Sequence, residues 1–271
     1  MTWVDLEKCF TRSIAHTFSR KKLLFVFSAL FLCGLLVVFF RAIAFETSDW
    51  VAMSLTFLPI LLSSGVLLSL GVLLVRIHLH EVKQLTWSFR RLFSGSIQLI
   101  FGTLYLSVPP ILIYLFLWVI LGIFWLLCEI PGIGDFFRIV MAFAPFLIIL
   151  CSLLLCLFNL ALLFFVAPAV ATESRSEITE RLMLVLRGRL FTAFALFLVA
   201  LIPIALVVGF LCLAAFLTNV NFLVATHSIS VALQWFFIMI PFCALLTPAV
   251  LLFFNFSAEC YWLLSKETVR T

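Results

Sequence analysis

Charge is what this 271-residue sequence has least of: 11% of its residues are charged, against 66% hydrophobic. An ordinary soluble domain is about 25% charged and about 45–50% apolar. No water-soluble core hides this much apolar surface, so the bilayer must serve as solvent. The scarcity is also positional, because no ionisable residue stands in the middle of a long apolar run. Each would cost roughly 2.5–3.5 kcal/mol at a helix centre, and their absence argues against a proton-coupled pump or an intramembrane aspartyl protease. Among the eight cysteines no CxxC pair occurs and most fall in apolar runs, so they read as small buried hydrophobes rather than a disulfide framework. There is no Walker A sequence. HEVKQ (80–84) misses the HExxH zinc pattern, because Gln84 stands where the second histidine belongs. His78 and His80, two apart, point in nearly opposite directions on a helix. FSGSI (93–97) and SSG (63–65) lack a GxSxG elbow. No enzyme activity, metal or cofactor is therefore expected.

What is present is a series of apolar runs. Residues 23–40 are long enough to cross a hydrocarbon core of ~30 Å. Ala42-Ile43-Ala44 resembles a signal-peptidase site, but this run exceeds the ~7–15 residues of a signal-peptide core and further runs follow, which favours a retained first span. A second span is expected at about 50–75, a fourth at 137–166 ending at Pro168, a fifth at 190–217 and a sixth at 231–256. The third run, 97–128, would reach roughly 48 Å as one straight helix, so it must tilt, kink at Pro109-Pro110, or begin at the interface. EIPGIGD (129–135) reads as a tight turn. Tyr261 and Trp262 stand where an aromatic belt would place them. Strands are excluded, since the runs neither alternate nor stop at the ~9–11 residues of a barrel strand.

Three basic segments with helical apolar periodicity accompany these runs. The first (1–22) spaces Trp3, Leu6, Phe10, Ile14 and Phe18 along one side and suits a membrane surface. The second (76–96) carries Arg76, Lys83, Arg90 and Arg91 beside Leu79, Val82, Leu85, Phe89 and Leu92. The third (172–189) begins with Ser174 and Glu177 at capping-box spacing and contains Arg175, Arg181, Arg187 and Arg189. With six spans, all of the 17 Lys and Arg except Arg41 and Arg138 fall on one side. The positive-inside rule makes that side, and both termini, cytoplasmic. The expected fold is all-α: an integral membrane bundle of six transmembrane helices in one domain (1–271). Three helical hairpins, at about 1–75, 76–171 and 172–265, are each preceded by a basic amphipathic cytoplasmic helix, and 266–271 form a short tail.

Candidate functional residues are few. Asn159 is the most deeply placed amide, an expected interhelical hydrogen-bonding group, with Gln98, Gln234 and Asn255 nearer the span ends. Prolines in the spans either mark broken helices around a transport site or reflect the general frequency of proline in membrane helices. The basic segments either set orientation alone or also hold anionic lipid at about 1 kcal/mol per cation. Arg90, Arg91, Arg187 and Arg189 are the candidate lipid or partner contacts. Nucleic acid is not an expected partner, because no long basic domain lies outside the spans.

Within 164–205, FFVAPAVATESRSEITERLMLVLRGRLFTAFALFLVAL (164–201) resembles the bacterial multi-pass membrane domain attached to some glycerophosphodiester phosphodiesterases, and its uncharacterised six-span relatives. Pro168, Glu173, Leu186, Arg187 and Gly188 match that pattern, while Glu180 to Leu184 replace its small Ala and Ser. The phosphodiesterase activity of those families belongs to a separate domain not found in these residues. The resemblance implies a six-span bacterial inner-membrane protein, accessory rather than catalytic. Together these features lead to an expected non-enzymatic, accessory or organising protein that engages anionic lipids or partner membrane proteins through its basic cytoplasmic helices. The alternative is a permease, or the membrane subunit of a transporter, for a neutral or apolar solute. An intramembrane enzyme using His80 and Glu81 ranks third.

Overall fold

A computed structural model describes residues 3–44, 49–82, 102–132, 134–140, 142–172, 190–218 and 229–268. Their regular structure is entirely helical: α1 (Trp3–Ala15), α2 (Arg20–Ile43), α3 (Asp49–Val82), α4 (Val108–Cys128), α5 (Gly134–Val140), α6 (Ala144–Thr172), α7 (Leu190–Leu217) and α8 (Ile229–Thr268). All but α1 and α5 are long and apolar enough to cross a membrane, six in number, which fits a multi-pass membrane protein. Helices suit that solvent because each satisfies its backbone groups internally.

The spans contribute unequally to the interior. In α3, 72% of the most apolar window is buried, against 17% in α2, α4 and α7. Helices α3 and α8 form the centre: α8 packs on α1, α2, α3, α6 and α7, and α3 on α2, α4 and α6. Phe164 of α6 is one hub, with ring centroids 5.8 Å from Phe197 of α7 and 5.5 Å from Phe253 of α8. A smaller cluster of Leu61, Tyr114, Trp118, Leu121 and Ile148 joins α3, α4 and α6. Outward faces stay apolar, as at Phe191, Phe210 and Phe216, and such faces would be a liability in water. Glycine permits the closest central contact: a Cβ at Gly71 would collide with the ring of Phe254.

Several boundaries differ from the expectation. The 97–128 run breaks at Ser107, where Val108 starts α4 with proline in its first turn, a position where the missing N–H costs nothing. The turn after α4 contains Gly132 at φ +88°, a backbone region that favours glycine. A separate short helix, α5, then precedes the fourth span, which starts at Ala144 rather than 137 and passes through Pro168 to Thr172. Likewise α3 continues to Val82 and α8 to Thr268; His78, Glu81 and Glu259, beyond the expected limits, find partners on other helices. Pro59, Pro203, Pro241 and Pro248 lie inside continuous helices. Trp262 is exposed, but Tyr261 is buried in the main core rather than placed in a belt.

Candidate functional site

The densest polar chemistry in the described residues lies where α1 meets the ends of α2, α3 and α8. Helix α1 and the turn after it dock through Cys9, Ser13 and Thr17, four residues apart and all buried. Leu6 and Phe10 pack beside them, whereas Ile14 and Phe18 of the expected apolar stripe remain exposed. Small residues let the α1 and α8 backbones approach. The hydroxyls of Ser13 and Thr17 donate four residues back along the chain to the carbonyls of Cys9 and Ser13, at 2.8 and 2.7 Å. Across the interface, fully buried Asn255 donates to Thr17 Oγ1 at 3.3 Å. Asn255 and Asn159 are both buried.

Two carboxylates organise the charges around this joint. Glu259 of α8 accepts from Arg12 Nη1 at 3.3 Å through one oxygen, and its other oxygen lies 2.9 Å from His78 Nε2. Glu81 of α3 takes the ammonium of Lys22 and lies 3.5 Å from His16 Nδ1. Lys22 also donates to the carbonyl of His16 at 3.3 Å. The rings of His16 and His78 meet edge to face, 5.5 Å apart, joining the two halves. The two basic side chains, Arg12 and Lys22, match the two acidic ones, Glu81 and Glu259. That balance permits such burial, since an unpaired buried charge is strongly unfavourable. His78, Lys22 and Glu259 are only 1%, 1% and 5% exposed. A recess of about 70 Å³, lined in part by Arg12, His78, Glu259 and Trp262, opens beside them.

This arrangement locks an N-terminal helix onto the bundle, and its residues were only partly visible beforehand. His78 and His80 do diverge: His78 faces Glu259, while His80 Nδ1 lies 2.8 Å from the carbonyl of Arg76 on its own helix. Glu81, considered with His80 for an enzyme, instead pairs with Lys22. Among the described residues, no three His, Cys, Asp or Glu side chains are grouped as a metal ion requires. Asn159 of α6 donates to Ser64 Oγ of α3 at 2.8 Å. Arg90, Arg91, Arg187 and Arg189 lie outside the described residues. The long-range partnerships of Glu259 and Lys22 had no local sequence signal, although a glutamate inside an apolar helix was a clue to one.

In comparisons with known proteins, no family model, curated protein or solved structure matches this chain.

Proposed function

We propose that this chain is a non-enzymatic, multi-pass protein of a bacterial inner membrane, accessory or organising in role. In this reading it engages anionic lipids, or partner membrane proteins, through basic surfaces on its cytoplasmic side, where both termini lie. The observation that carries the reading is the outer side of α1 and the start of α2. There, Lys8, Arg20 and Lys21 are exposed, and so are Ile14 and, at 72%, Phe18. Apolar side chains that enter the acyl boundary beside cations that reach headgroups are the components of an interfacial helix. The ionic joint with α3 and α8 holds that surface at the level of the span ends.

The test compares phosphatidylglycerol and protein partners retained on purification by the wild type and two variants. One carries Lys8, Arg20 and Lys21→Gln, and the other Arg90, Arg91, Arg187 and Arg189→Gln. Reduced retention in correctly inserted protein supports the proposal, and unchanged lipid and partner binding defeats it. One observation favours the second reading, a permease or transporter subunit for a neutral or apolar solute: an apolar cavity of about 520 Å³ between α2, α3 and α8, walled in part by Pro59. Solute flux through the purified protein in liposomes would establish that reading instead.

A further inference from the structure

Ser64 on α3, the break at Leu106 and Ser107 before α4, and Asn159 on α6 meet at a buried polar seam. All four residues line a recess of about 10 Å³, otherwise walled by leucines, roughly the least space that holds one water. Ser64, Ser107 and Asn159 are 6%, 8% and 6% exposed. The elements approach closely here, since a Cβ at Gly65 would stand 2.6 Å from Ser107 Oγ.

The seam is rich in acceptors. Its hydroxyl protons are already used: Ser64 donates to the carbonyl of Leu61 at 2.6 Å, and Ser107 to that of Leu104 at 2.7 Å. Each hydroxyl oxygen keeps a lone pair. Asn159 donates to Ser64 Oγ, while its own Oδ1 accepts no hydrogen bond from the described residues. Pro109 and Pro110 follow Leu106 by three and four positions, so the Leu106 carbonyl loses both N–H donors that a helical turn could offer it. A single water brings only two protons to these four oxygens. A cation instead engages lone pairs throughout. With no carboxylate, imidazole or thiol in the wall, a divalent or transition-metal ion would lack the ligands it requires. The two prolines also remove N–H groups from the start of α4 that would oppose a positive ion. Freed carbonyls at broken membrane helices are a general means of holding sodium.

We propose that the Leu106 carbonyl oxygen, Ser107 Oγ, Ser64 Oγ and Asn159 Oδ1 form a binding site for a sodium ion. The site depends on neither functional reading above.

The test uses the full chain in phosphatidylcholine nanodiscs, with radioactive sodium as the probe and choline as the inert cation. Saturable sodium binding is expected, displaced by unlabelled sodium and not by choline. The melting temperature should be higher in sodium chloride than in choline chloride at equal ionic strength. Ser107→Ala removes one oxygen and leaves the Asn159–Ser64 bond in place. It should weaken sodium binding roughly 10-fold, the loss expected when a charged ligand is deprived of one polar partner. Its melting temperature in choline should stay near that of the wild type. Absence of saturable sodium binding, the result for an ordered water only, would overturn the proposal, and so would binding unchanged in Ser107→Ala. Where that variant does not elute with the wild type on gel filtration, Ser64→Ala decides by the same binding measurement.

Discussion

Arg12 and Glu259, 247 positions apart, form an ion pair at 3.3 Å that fastens the N-terminal helix to the last span. The two ends of the pair are not equivalent: the Arg12 side chain is 47% exposed and that of Glu259 only 6%. Glu259 also holds buried His78. Glu259→Ala should therefore destabilise the protein by about 3–5 kcal/mol, the range for removing one partner of a buried pair. Arg12→Ala should cost less than Glu259→Ala but more than the about 1 kcal/mol of an exposed pair, because it leaves the buried Glu259 carboxylate with His78 alone. Reversible unfolding in detergent checks this order. Peptide-resolved alkylation of Cys9, buried under α1, should accelerate most in Glu259→Ala.

Buried Lys22 and half-buried Glu81 form the second pair. Lys22→Met and Glu81→Gln should each destabilise by about 3 kcal/mol, while the double variant should lose less than the sum of the two. A double-mutant cycle measures this coupling, and additive losses would show that the pair is not an energetic unit.

The Asn159–Ser64 hydrogen bond crosses between α6 and α3. Replacing Asn159 with Leu should cost about 0.6–1.7 kcal/mol, the range for hydrogen bonds between membrane helices. Ser64→Ala should have little further effect in that background. Unfolding in mixed micelles provides the comparison.

Gly71→Ala tests the α3–α8 contact. The added methyl meets the Phe254 ring, and overpacking of this kind costs about 1–3 kcal/mol. Phe254→Leu should restore part of the loss, a result seen in the melting temperatures of the single and double variants.

The sequence made the spans legible because runs such as 190–217 leave no other solvent available. It was weaker at span ends, for a physical reason: a charged residue ends an apolar run only when no partner waits for it. His78, Glu81 and Glu259 have partners on other helices, so α3 and α8 continue past the expected limits. The face by which α1 and the turn after it dock had no signal in the sequence: the apolar stripe was read as facing the membrane surface, whereas close helix contact selects the small side chains of Cys9, Ser13 and Thr17. The cavity was not visible at all, because it is a gap left by three helices whose apolar walls look locally like any lipid-facing stripe.

Orientation across the membrane is the claim on which the proposed function depends. In a background without reactive cysteines, Glu129→Cys, in the turn after α4, and Thr11→Cys, on the exposed side of α1, are treated in intact cells with an impermeant maleimide. Labelling is expected at 129 from outside, and at 11 only after the membrane is opened. Labelling at 11 in intact cells, with 129 protected, would contradict it.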